Sequence, residues 1–153
     1  MTDFDEIDRR LLKALQADGR ITNLDLAQKA HLSPAACSER VRRLRERGVI
    51  ARYTALLDPV EVGLGLLVFV EISLDRTTAG VLNDFAAAIH RSPEILECHM
   101  VAGGFDYLLK ARVKDMAAYR QLLGETIVQI PGVREAHTYA VLEEVKATTA
   151  LPI

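Results

Sequence analysis

The sequence repeats itself once, and that repeat limits the folds open to it. Pro93-Glu94-Ile95-Leu96-Glu97-Cys98-His99 and Pro131-Gly132-Val133-Arg134-Glu135-Ala136-His137 both fit Pro-x-(Ile/Val)-x-Glu-x-His, 38 residues apart. Ahead of each copy, apolar residues recur at helical spacing. They are Val81, Leu82, Phe85 and Ile89 before the first, and Met116, Tyr119, Leu123, Ile127 and Ile130 before the second. Ahead of each helix lies a strand-like run, LLVFVEISL from Leu66 to Leu74 and DYLLKARV from Asp106 to Val113. Strand, helix, strand, twice over, is the split βαβ or ferredoxin-like order βαββαβ, with antiparallel strands and two helices on one face. Strand alternation points Val68, Val70, Ile72 and Leu74 at the helices and leaves Leu67, Phe69 and Glu71 on the other face, joined by Tyr139 and Val141. Large apolar groups left open to water mark an interface, so a homodimer through this face is expected.

The chain before this body has a different character. Ile7, Leu11, Leu12 and Leu15 make a helix from Asp5 to Gln16 that Asp18-Gly19 ends. Asn23 is expected to cap a short second helix carrying Leu26, Ala27 and Ala30 inward, with Asp25 in its first turn. After a break at His31-Leu32, Ser33-Pro34 starts a third helix and Gly48 stops it. Cys37, Val41 and Leu44 form its apolar stripe. Arg40, Arg42, Arg43, Arg45 and Arg47 stand against only Glu39 and Glu46. Three short helices, the last two joined by a tight turn, read as a helix-turn-helix, and guanidinium forks suit phosphates and guanine edges. The run Val49 to Leu57 can form the strands of a wing before Asp58-Pro59 breaks it. The organisation expected is therefore α+β. A (winged) helix-turn-helix DNA-binding domain spans residues 1–58, a hinge 59–65, and the βαββαβ domain 66–153.

Charge follows this division. Residues 1–52 carry 11 Lys and Arg against 8 Asp and Glu, whereas the remainder carries 8 against 13. A basic head on an acidic body directs only the first part at a polyanion. No apolar run approaches a membrane span, and the opening MTDFDEID is acidic where a secretory signal is basic, so the expected location is the cytoplasm. Cys37 and Cys98 fit neither a disulfide framework nor a metal cluster, and read as small buried hydrophobes. Cys98 and His99 are neighbours on a strand and point to opposite faces, so they form no thiol–imidazole pair. The four histidines have no zinc spacing, and Gly63-Leu64-Gly65 lacks the third glycine and the following helix of a dinucleotide site. No catalytic residue, metal site or cofactor is expected.

The stretches IDRRLLKALQADGRITNLDLA, LSPAACSERVRRLRERGVI, LLVFVEISL, ECHMVAGGFDYLLKARVKDMAAYRQLLGETI, IPGV and TYAVLEEVK resemble the Lrp/AsnC family of transcription regulators. Three departures stand out against the family pattern: His31 where a glycine is usual, Ala36 where proline is frequent, and Gly104 where a polar residue is frequent. Histidine tolerates positive φ, so the turn survives. The resemblance implies a third helix in the major groove of double-stranded DNA. Ser33, Ala35, Ser38 and Arg40 would lie nearest the bases and Arg42, Arg43 and Arg47 nearest phosphates, and Asn23 and Pro34 complete the DNA-binding set. It implies further that residues 66–153 bind an amino-acid effector, leucine or similar, where subunits meet. The loop Val101-Ala102-Gly103-Gly104-Phe105-Asp106 and Thr138 would supply the site. Paired glycines admit an amino acid's carboxylate to backbone amides, and Asp106 accepts from its ammonium group. Read without the resemblance, the loop is a plain β-hairpin turn. Dimers assembling to octamers or larger are also implied. Two alternatives stay open: a local regulator of one amino-acid catabolic pathway, and an amino-acid sensor that controls an enzyme without touching DNA.

Overall fold

The computed structural model describes residues 4–153; residues 1–3, the start of the acidic opening and of the expected DNA-binding domain, lie outside them. Two compact units emerge. One comprises the chain up to Leu56 together with Lys146–Ile153, and the other comprises Leu57–Val145.

The first unit is built on α1 (Glu6–Ala17), α2 (Asn23–Ala30) and α3 (Pro34–Glu46). Asp5 caps α1 by accepting from the Asp8 amide at 2.7 Å, because a carboxylate satisfies an orphan amide at the positive end of the helix. Leu11, Leu26, Ala27, Ala30 and Cys37 form a small closed core, with Ile7, Leu15, Leu32 and Val41 packed on it. The turn before α3 is made by His31 in the left-handed conformation, φ 57°, and Gly48 leaves α3 at φ 72°. Two expectations are corrected. Thr22, not Asn23, caps α2, its hydroxyl accepting from the Asp25 amide at 3.1 Å; Asn23 is the first helical residue. Residues 51–57 are extended and exposed, but pair with no strand among the described residues. The wing strands expected there lack a partner among the described residues.

The second unit contains β1 (Leu66–Leu74), α4 (Ala79–His90), β2 (Ile95–Met100), β3 (Tyr107–Val113), α5 (Met116–Gln121) and β4 (Val133–Ala140). The strands form one sheet in the order β2-β3-β1-β4, with antiparallel neighbours throughout. Val68, Val70, Ile72 and Leu74 are buried with Phe85, Leu109, Tyr119 and Ile127, and Phe85 stacks on Tyr107 with ring centroids 4.5 Å apart. Both repeat copies become edge strands. On the opposite face the register aligns Lys110, Phe69 and Tyr139 in one row and Leu108, Glu71 and His137 in the next.

Four details depart from the sequence pattern. Leu67 belongs to the open face yet is only 5 % exposed; its row neighbour Arg112 is itself covered and pairs with Glu144. After α5 the chain passes through a π turn at Leu122–Thr126 and a 3₁₀ turn at Ile127–Gln129. The wider turn lets Leu122 and Ile127, five residues apart, both face inward, while Met116, the first residue of α5, stays 54 % exposed. Residues 58–64 are stacked turns, with the Val62 amide bonded to the Asp58 carbonyl and Leu64 to Pro59; the segment read as a hinge falls inside the second unit. Finally, Lys146–Ile153, expected within the sensing domain, belong to the helical unit. No helix among the described residues is long and apolar enough to cross a membrane.

Candidate functional site

The arginines of α3 are not equivalent. Arg40 turns inward toward α1, and its Nη1 donates to Asp5 Oδ2 at 2.7 Å and Asp8 Oδ1 at 2.8 Å. Its side chain is 24 % exposed and that of Asp8 6 %. Together with the cap, Arg40 holds the Asp5 carboxyl below the usual carboxylate range; the amide bond from Asp8 is the larger cause. A guanidinium committed in this way ties α3 to α1 and its cap. Arg42 is exposed and gripped by Glu39, at 2.6 Å and 3.0 Å, and by Glu46. Arg43, Arg45 and Arg47 have no carboxylate within 4.0 Å among the described residues. Arg47 lies over the Phe4 ring, 5.9 Å from its centroid.

The start of α3 is equally organised. Ser33 accepts from the Ala36 amide at 3.2 Å, and the Asn23 amide group donates to the Pro34 carbonyl at 2.9 Å. That bond links the first turn of α2 to the start of α3. Pro34, Ala35 and Ser38 are exposed beside it. The structure shows an exposed helix start, two arginines paired with carboxylates, and three with no carboxylate partner among the described residues. Sequence reasoning omitted Arg45, whose lack of an acidic partner emerges only once the neighbouring acids are seen to be engaged elsewhere.

The loop between β2 and β3 is closed by the Val101 amide on the Asp106 carbonyl at 3.0 Å, and pinned by the Asp106 amide on the Ile72 carbonyl at 2.9 Å. Asp106 Oδ2 accepts from the Leu74 amide at 2.7 Å, so one carboxylate oxygen is structural and Oδ1 remains. Gly103 and Gly104 are exposed, with nothing within 4 Å of where a side chain would begin. Among the described residues neither glycine amide donates to another backbone group. Thr138 stands opposite Val70, two residues along β4 from the partner of Ile72. Its hydroxyl makes a short hydrogen bond with the Tyr119 hydroxyl, whose pKa burial pushes up. Cys98 is half-buried and its thiol raised by desolvation, while His99 lies out on the open face near Glu97, so the two do not form a reactive pair.

Two family models match the chain: "Winged helix-turn-helix DNA-binding" over residues 4–51 and "Lrp/AsnC ligand binding domain" over residues 67–151. The chain is similar to the leucine-responsive regulatory proteins of Salmonella typhimurium and Escherichia coli K12. It is 54 % identical to each over 151 residues, covering 99 % of this chain and 92 % of theirs. Among solved structures it is similar to a transcriptional regulator of Neisseria meningitidis in complex with L-methionine, with TM-score 0.94, 39 % identity, and coverage of 98 % of this chain and 97 % of that one. It is also similar to a feast or famine regulatory protein of Mycobacterium tuberculosis complexed with L-methionine, with TM-score 0.86, 34 % identity, and coverage of 97 % and 99 %.

Proposed function

The chain belongs to the Lrp/AsnC family of DNA-binding transcription regulators, not to a family of enzymes, and from that premise we propose how its own residues divide the work. Helix α3 enters the major groove through its exposed start, with Ser33, Pro34, Ala35 and Ser38 nearest the bases. Arg43, Arg45 and Arg47 bind phosphates. Arg42 joins them by exchanging Glu39 and Glu46 for DNA, and Arg40 and Asn23 hold the reading helix in place. The observation that carries this reading is the pairing pattern, since only arginines without a competing carboxylate release counterions at no internal cost.

The effector is an amino acid with an apolar side chain, leucine or methionine. Amides of Gly103 and Gly104 receive its carboxylate and Asp106 Oδ1 its ammonium group, with Val101, Ala102, Phe105 and Thr138 around them. The open sheet face pairs two copies, and such dimers assemble to octamers or larger rings. A DNA-binding regulator acts where the chromosome is, so the cytoplasm is its proposed location.

Calorimetric titration of the protein with L-leucine and L-methionine tests the effector site. Asp106→Asn is expected to weaken binding at least about tenfold, the scale of one charge-assisted hydrogen bond. Unchanged affinity would remove this loop from the site.

A further inference from the structure

The helical unit carries an apolar groove of about 620 Å³ lined by Leu12, Leu15, Val49, Ile50 and Tyr53, with Thr149, Leu151 and Ile153 from the end of the sequence forming part of its wall. Gln16 fixes that segment. Its Nε2 donates to the Leu151 carbonyl at 3.1 Å, and its Oε1 accepts from the Leu151 amide at 2.6 Å. The amide side chain thus bonds the segment as a neighbouring strand would, through both backbone groups of one residue.

The route by which the segment arrives gives the seat its meaning. It continues from β4, where the Val141 amide bonds the Leu67 carbonyl and Glu144 pairs with Arg112. The chain then crosses into the helical unit at Lys146. Thr138, a proposed effector contact, lies on the same strand. The helical unit is therefore joined to the sheet unit at Leu56/Leu57 and again at Val145/Lys146. Solvent-exposed hydrogen bonds contribute little individually, and Leu151 remains 68 % exposed, so the seat is one the segment can leave.

We propose that this groove is a docking site for residues 149–153 of the chain, and that their seating couples effector binding in the sheet unit to DNA reading by the helical unit. The coupling rests on the proposed function; the docking does not. Seated, the segment is a second tether that restricts the helical unit; released, it leaves one flexible connection. An effector that shifts β4 changes the population of the seated state, and linkage then changes DNA affinity.

The test uses the full chain, Gln16→Ala, and the double variant Leu151→Asp/Ile153→Asp. Hydrogen exchange at the Leu151 amide reads docking and needs no ligand; slow exchange in the parent and fast exchange in Gln16→Ala is expected, and equally fast exchange in both overturns the docking. Duplex affinity with and without L-leucine or L-methionine reads coupling. The parent is expected to change affinity at least about fivefold with effector, as coupled sites typically do, and both variants to change it less than about twofold while keeping their effector-free affinity. A full effector response in both variants overturns the coupling alone. A parent that binds DNA yet ignores both amino acids overturns the coupling together with the effector reading, and leaves the docking to the exchange result.

Discussion

The sheet unit and the helical unit are held together by different means. In the sheet unit a continuous apolar layer is closed to water: Val68, Val70, Ile72, Phe85, Leu109 and Ile127 are wholly buried. In the helical unit the core is small, and polar links do much of the positioning. Asp5 and Thr22 cap helices, Asn23 pins the start of α3, and Arg40 bridges to the covered Asp8. The contrast teaches where each unit is vulnerable. Apolar burial stabilises in proportion to area, whereas a polar link matters most when its removal strands a buried charge.

The largest effect is therefore expected in the sheet unit. Phe85→Ala removes a ring stacked on Tyr107 and should cost about 3–5 kcal/mol, read by urea denaturation; a loss below about 1 kcal/mol would show that the layer is not close-packed. Next comes Arg40→Ala, which leaves Asp8 covered and without its guanidinium, at a cost of about 3 kcal/mol for a pair of this kind. If Arg40 instead reads bases, as the family resemblance implied, the same variant will keep its stability and change only sequence preference. Measuring both quantities on one preparation separates the alternatives.

A smaller and more selective effect is expected at the unpaired arginines. Arg47→Ala should weaken binding to all duplexes alike and lower the salt slope of log K by about 1, whereas Ser38→Ala should alter preference among sequences. The mildest effect is on acid stability. The Asp8 amide and the Arg40 guanidinium hold the Asp5 carboxyl below its ordinary value of 3.8. Its contribution is thus complete above that value and is lost as pH falls through the folded pKa. Asp5→Asn should flatten the stability profile on the acid side of pH 3.8 and leave its shape near neutrality intact; an equal change of slope at neutral pH would point to another group.

Legibility in the sequence divides along the same line. The order of elements along the chain and the inward residues of β1 followed from period-two alternation in LLVFVEISL and from the Pro-x-(Ile/Val)-x-Glu-x-His repeat, because burial on one face imposes a periodic demand on composition. His31 was legible as a left-handed turn residue only through the family resemblance, which has glycine at that position. What escaped notice depended on distant partners or local geometry. Arg40 meets acids 32 and 35 residues away, and Gln16 meets Leu151 across 135 residues. Leu122 is buried where the regular spacing put Leu123, because the chain passes into a π turn there, an event that spacing rules for a regular helix do not register; Met116 is exposed at the first position of α5. Asn23 and Thr22 are adjacent and both good caps, so composition did not separate them. At the loop between β2 and β3, proposed to hold the effector, the sequence singled out the glycines and Asp106 but not the use of one Asp106 oxygen by the Leu74 amide.

The most direct test is fluorescence anisotropy of a labelled duplex, taken from DNA upstream of the protein's own coding sequence and titrated with protein at two salt concentrations, with and without L-leucine or L-methionine. The expected result is tight, salt-sensitive binding whose affinity shifts when one of the amino acids is added. Affinity that is absent even at low salt, or that neither amino acid alters, would contradict the assignment of a reading helix and a sensing loop to one chain.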